Sequence, residues 1–312
     1  MKLQQFYLHA LFASLALFSF ACSSGPAQDK KVAERVGYPA GAKLLIIHAD
    51  DLAVAHSVDH ASFAALDQKA ANSASIMVPC PWFTEVAGYA REHPDADLGL
   101  HLTLTSEWKT YRWGSIASKD QVPSLLDPEG CLWPDEGSAA RHAKPEEVER
   151  EIRAQIKRAI QAGIRPTHLD SHMGTLFQNA ALFAVYVKVA REYGLPFLAV
   201  RRPDAPREML AMLKDTDIVL DALVMADESV RPDEWKGWYA NTLRSLKPGL
   251  SELIVHLGYD DAELQAVMVD HPAFGSAWRQ RDFDVVTSTE FKKVLEENHI
   301  ILGGWKDLKK IM

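Results

Sequence analysis

The sequence predicts an α/β protein built on one parallel sheet, on three observations. Seven or eight short apolar runs alternate with helix-patterned segments in one unbroken series, as repeated strand–helix units require. No internal repeat, low-complexity segment or linker interrupts that series. No GxGxxG follows the first apolar run, which removes the dinucleotide-binding form of an open sheet. A closed (β/α) barrel and an open doubly wound sheet both remain.

Each element has a local reason. Residues 43–49 (KLLIIHA) read as a buried strand and 57–71 as the helix after it, because the spacing of apolar residues changes from continuous to helical. A strand is expected at 73–78, then a turn through Pro79-Cys80-Pro81-Trp82 and a helix at 83–92, then a strand at 97–104. The best-marked helix covers 145–162: Val148, Ile152, Ile156 and Ile160 recur every four residues, Pro145 suits the first turn and Gly163 the C-terminal cap. Further strands are expected at 167–170, 197–200, 218–223, 253–256 and 299–302, with helices at 180–193, 206–214, 233–246 and 289–298. The segment 106–144 is long for a strand-to-helix loop, and long loops on such scaffolds tend to be functional.

The N-terminus reads differently. Residues 1–21 carry Lys2, no acid and an apolar stretch from Ala10 to Phe20 that is too short to span a bilayer, the pattern of an export signal. Cys22 follows at once in Ala21-Cys22-Ser23-Ser24, similar to the site where bacterial lipoproteins are acylated. The expectation is an exported, periplasmic or envelope protein, lipid-anchored through Cys22, with a plain signal peptide cut at Ala21 or slightly later as the alternative, a polar tether at 22–41 and one domain at 42–312. A formal net charge of −8 without Lys/Arg runs argues against nucleic acid or an anionic membrane surface as the main partner. Three cysteines without a CxxC exclude a disulfide framework and a zinc ribbon. Cys80 and Cys131 are open to pairing or to burial as thiols.

Acids and histidines concentrate at the expected strand ends: Asp50 and Asp51 after the first, His101 in the third, Asp170 and His172 after the fourth, His256 after a late one. On a βα scaffold those ends form one rim, where active sites are built. One carboxylate with two imidazoles is a donor set for a divalent metal with open positions. Two adjacent aspartates in extended chain point in different directions, so one can bind metal while the other faces the metal-bound water.

These residues also carry a resemblance. LLIIHADD at 44–51, SASIM at 73–77, LGLHLTLT at 98–105 and PTHLDSH at 166–172 together resemble the YdjC/ChbG-like carbohydrate deacetylases. The resemblance spans 43–305 and implies a single, seven-stranded (β/α) barrel of polysaccharide-deacetylase type. It further implies Asp51, His101 and His172 as ligands of one divalent metal, zinc or magnesium, Asp50 as catalytic base and His256 as general acid. RQRD at 279–282 with Thr287-Ser288 is also family-like, and Arg281 is taken from it as a residue that positions the base. Leu52-Ala53 stands where the family usually has an aromatic residue and Gly, and Met173-Gly174 where it has further histidines. The ligand set is untouched by these departures, but the pocket that selects the substrate is not.

The expected function is metal-dependent removal of N-acetyl groups from an amino-sugar oligosaccharide or glycan. Asp170 is expected to support His172 or a nearby ligand, His56 to line the pocket, and His48 and His168 to be structural. Trp108 and Trp113, with Tyr111, are candidates for a sugar platform or for the core of the insert. Asp260 or Asp261 is the expected partner that charges His256. Two other classes compete: a lipid-anchored carbohydrate-binding protein on an inactive scaffold, and another metal-dependent hydrolase, phosphoesterase-like, on the same ligands.

Overall fold

The computed structural model describes residues 32–201 and 206–312. The stretch read as an export signal, and Cys22, therefore lie outside the described residues. Seven parallel strands form one sheet: β1 (Lys43–Leu52), β2 (Ser73–Ile76), β3 (Leu98–Leu102), β4 (Leu169–Ser171), β5 (Ala222–Met225), β6 (Gly249–Val255) and β7 (Ile300–Leu302). Their order is β4-β3-β2-β1-β6-β5, with β7 paired to the first residues of β1.

The sheet curls into a barrel rather than lying open. Phe197 bridges to Leu169 and Val200 to Leu220, both in parallel. Through these bridges the segment 197–200 fills the gap between β4 and β5. It was expected as a full strand, and single bridges are what it contributes to the closure. Helices cover the outside, including His56–Asp67, Phe83–Glu92, Pro145–Gln161, Ala180–Glu192, Trp235–Ser245 and Thr289–Glu297.

Side-chain alternation along the strands sorts the core into two parts. Leu45 and Ile47 of β1, Leu98 and Leu100 of β3 and Leu253 of β6 pack in the apolar layer under the helices. Leu44 and Ile46 join Leu198, Leu220, Leu250 and Trp305 in a second cluster. Burying each large aliphatic side chain contributes about 1.5–3 kcal/mol.

Above that second cluster the barrel lumen is polar. His48, Ser73, Ser75, His168, Asp170 and Glu252 are all buried. Gly99 belongs to this arrangement, because a Cβ there would lie 2.4 Å from the His168 ring. The Trp305 indole lies flat on His168, with ring centroids 5.1 Å apart, and donates to Glu252 at 2.7 Å.

Three expectations shift. Ile160 is half exposed while Val148, Ile152 and Ile156 are buried, because each four-residue step turns the helix about 40° beyond a full turn. The helix expected at 206–214 is reduced to Arg207–Leu210, and helices not expected occur at Glu136–His142, Ala262–Val267 and Ser276–Val286. Part of the presumed tether is folded: Val32–Arg35 is helical, and Ala33 is buried beside Leu44, Leu250 and Trp305.

Replacing Trp305→Phe keeps a ring against His168 but leaves buried Glu252 without its indole donor. The expected cost is about 1–3 kcal/mol in urea denaturation.

Candidate metal and catalytic site

The site sits at the C-terminal mouth of the barrel, and the backbone of β1 creates it. In strict alternation Asp50 follows His48 into the lumen while Asp51 would face the helices. The pairing register with β2 is instead broken between Ala49 and Leu52, and Asp51 and Ala53 adopt left-handed φ values of 70° and 79°. Such backbone is costly for a residue with a Cβ and collects at functional sites. Here it carries Asp51 over the mouth. The position where the family favours Gly is thus a left-handed one that Ala53 occupies at a steric cost.

Asp51 Oδ1 lies 3.4 Å from His101 Nε2 and 3.3 Å from His172 Nδ1. It is buried and has no hydrogen-bond donor of good geometry. The three residues present ligand atoms within 4.8 Å of one another, so an orphaned carboxylate oxygen and two imidazole nitrogens face one point. That is a fitting donor set for a divalent cation. Each imidazole is oriented from behind. His101 Nδ1 is 2.7 Å from Asp170 Oδ1, and His172 Nε2 is 3.1 Å from Glu107 Oε2. Donating those N–H groups leaves the opposite nitrogens as lone-pair donors toward the cation point, the usual backing of a metal-binding imidazole.

Asp51 Oδ2 accepts from Arg279 at 2.7 Å. Burial works to raise the Asp51 pKa, but the Arg279 charge and the two imidazoles outweigh it and hold the carboxyl well below the usual range. Asp50 is beside it, with Oδ1 3.1 Å from His48 Nε2 and Oδ2 3.8 Å from His101 Nε2. Burial again opposes ionisation, and the charges of His101 and His48 win, so Asp50 is lowered too. Burial works to lower His172 but is outweighed by Glu107 and Asp51, which take it up to about 9.

His256 closes the ring, its Nε2 4.0 Å from Asp51 Oδ2. Its backbone N–H donates to Asp282, whose other oxygen accepts from Trp235 and Tyr239. Burial takes the His256 pKa down to about 4, with the Arg279 and His101 charges acting the same way. The expected charging partners do not reach it. Asp260 accepts from Gln265, and Asp261 accepts from Ser57 and caps the helix Ala262–Val267.

Other expected residues sort by position. Asp170 supports His101, not His172, and also reaches His48 at 3.0 Å. Trp108 and Trp113 are buried and pack with Tyr111 as the core of the insert, so their faces are closed to a sugar. Arg281 stacks on Trp235, and the residue that reaches Asp51 is its neighbour Arg279. His56 lies on the rim against Glu85, away from Asp51. Cys80 and Cys131 are free thiols. Glu107 is the candidate site residue the sequence reading missed, and Arg279 stood in the RQRD motif it quoted, from which Arg281 was chosen instead. Glu107 stands just past LGLHLTLT, on the mouth side, which was its only signal. Arg279 comes from a helix whose inward face mixes Arg279 and Asp282 with Trp278, Val285 and Val286.

Arg279→Met is expected to cost about 3–5 kcal/mol, because it leaves Asp51 buried without its cation. Urea denaturation with and without added zinc checks this: a divalent ion at Asp51 should recover part of the loss.

With this geometry in hand, comparison with known proteins is direct. Residues 44–297 match the family described as YdjC-like protein. A carbohydrate deacetylase of Thermus thermophilus is 31% identical, over 89% of this chain and 98% of the relative. A chitooligosaccharide deacetylase of Serratia marcescens is 26% identical, over 85% of this chain and 99% of its own length. A crystal structure from Enterococcus faecalis V583, described as a candidate cellobiose-phosphate cleavage protein, superposes with a TM-score of 0.72 at 27% identity, covering 86% of this chain and 99% of that one. The matched segment runs from β1, where the two aspartates stand, to the last helix before β7, and so takes in six of the seven strands and the mouth: the chain belongs to the YdjC-like family.

Proposed function

We propose that this protein is a divalent-metal-dependent carbohydrate N-deacetylase, hydrolysing the acetamide of an N-acetylated amino sugar. The observation that carries the reading is the convergence of the orphaned Asp51 oxygen, His101 and His172 on one point, with the second carboxylate, Asp50, beside it. The names of the relatives support the substrate class. Two imidazoles and one carboxylate suit zinc better than magnesium, which prefers oxygen donors.

A cation held there supplies Lewis acidity toward the acetyl carbonyl and lowers the pKa of water. The chain supplies the rest. Asp50 is kept ionised, and with Oδ1 occupied by His48 and Ser75 it offers Oδ2 to take the proton of the attacking water. Asp170 and Glu107 keep the two imidazoles in the tautomers that bind. His256 is neutral in the free site. Negative charge developing on the acetyl oxygen raises its proton affinity, so it takes a proton from solvent and gives it to the nitrogen as the C–N bond breaks, while Asp50 returns the water's proton to solvent when the site resets. Water thus adds its hydroxyl to the acetyl carbon, and its remaining proton balances the free amine.

Asp50→Asn is expected to lower kcat for acetate release from N-acetylated chitooligosaccharides by about 10²–10⁴. An unchanged rate would rule out Asp50 as the base. Dialysis against a chelator should abolish turnover, and zinc should restore it.

Metal affinity should also depend on pH in a stated direction. His172, at about 9 in the metal-free chain, and His101, likewise raised, hold protons at neutral pH that binding must displace. Affinity therefore rises with pH, by up to about a hundredfold per unit while both protons are held. Zinc titrations from pH 6 to 8 in competing-chelator buffers read this slope.

A further inference from the structure

One group of ligating side chains lies outside the mouth cluster and takes no part in the reaction above. His56 and His60 are one helical turn apart at the start of His56–Asp67, the spacing that puts two imidazoles on one face of a helix. Glu85, from Phe83–Glu92, reaches both: its Oε1 is 2.9 Å from His56 Nδ1 and 3.4 Å from His60 Nε2. All three ligand atoms fall within 4.8 Å of one another. Donors around a tetrahedral cation with bonds of about 2.1 Å are themselves about 3.4 Å apart, so small side-chain rotations would close the set.

The surroundings are rich in acidic groups, and burial, with Glu85 and Glu263 nearby, raises the Asp59 pKa well above the usual carboxylate range. Asp59, between the two histidines in sequence, is fully buried. Its Oδ1 accepts from Ala53 N at 2.6 Å, while its buried Oδ2 has no donor. Glu263 accepts from the backbone N–H groups of His56 and Ser57, and Asp261 accepts from the Ser57 hydroxyl. Among the described residues no Lys or Arg forms an ion pair with Asp59, Glu85, Asp261 or Glu263, and the ion-pair partners of Glu85 are the two histidines. His56 and His60 are half exposed, so the site is open to solvent cations, and the Trp82 ring closes one side at 4.8 Å from His56.

We propose that His56, His60 and Glu85 form a second divalent-cation site, of the zinc, nickel and copper class, on the rim of the barrel mouth. Two imidazoles and one carboxylate leave coordination positions free for water or a ligand oxygen. The cation ties helix His56–Asp67 to helix Phe83–Glu92. Asp59, on the same helical turn, anchors Ala53 in the left-handed turn behind Asp50 and Asp51, so the rim site braces the segment that shapes the mouth.

The test counts zinc on the full, tag-free chain by elemental analysis after equilibrium dialysis, and reads affinity by chelator competition. The wild type is expected to hold two equivalents. His60→Ala and Glu85→Gln should each hold one, with the other weakened more than about 100-fold, since losing a ligand costs more than losing its supporting partner. Asp51→Asn should lose the mouth equivalent and keep the rim one. Both rim side chains are at least partly solvent-exposed, and circular dichroism checks that the variants fold. One equivalent in the wild type, removed by Asp51→Asn, overturns the proposal, as does an unchanged count in both His60→Ala and Glu85→Gln. If Asp51→Asn leaves the count at two while the rim variants lower it, the mouth reading fails and the rim site stands.

Discussion

The mouth of this barrel depends on where one carboxylate is held. Asp51 can face His101 and His172 only because the end of β1 leaves the extended conformation and turns through left-handed backbone at Asp51 and Ala53. That conformation is unfavourable for both residues. The Arg279 bond to Asp51 and the Asp59 bond to the Ala53 N–H hold it in place. Arg279 does two things at once: it fixes the rotamer of Asp51, and it offsets the cost of burying that charge in a metal-free chain.

Below Asp51 the lumen is a continuous set of polar contacts. His48 bridges Asp50 and Asp170, Asp170 backs His101, and Glu252 meets Trp305 at the base of the set. Apolar side chains in the lumen would have made a more stable barrel, since buried charges return their desolvation cost only when every partner is present. The polar set keeps the imidazoles fixed and the aspartates ionised. In this family member, stability rests mainly on the layer between sheet and helices, which leaves the lumen free for chemistry.

Much of this was legible in the chain. β1, β3 and β6 are almost wholly buried, and short apolar stretches such as LLII at 44–47 and LIV at 253–255 mark them. The candidate ligand residues stand at or near strand ends, where a βα scaffold concentrates function. The less legible parts have physical causes. The segment 197–200 joins the sheet through single bridges, so its apolar residues mark burial without a ladder. The helix Ser276–Val286 escapes the amphipathic pattern because Arg279 and Asp282 are among its inward residues. Trp108 and Trp113 looked like a sugar surface because sequence shows an aromatic cluster but not which way it faces.

By itself the sequence predicted the parallel α/β architecture and acids and histidines at strand ends, because strand periodicity and residue type are local properties, and the resemblance carried by its short motifs singled out Asp51, His101, His172 and the adjacent Asp50. Only the tertiary structure decided that the sheet closes and that Asp51 crosses to the mouth. It also assigned Asp170 to His101 and Glu107 to His172, gave Arg279 rather than Arg281 to Asp51, and kept Asp260 and Asp261 away from His256. These outcomes depend on distances between residues far apart in the chain and on one irregular turn. Neither is encoded in any spacing that a linear reading can measure.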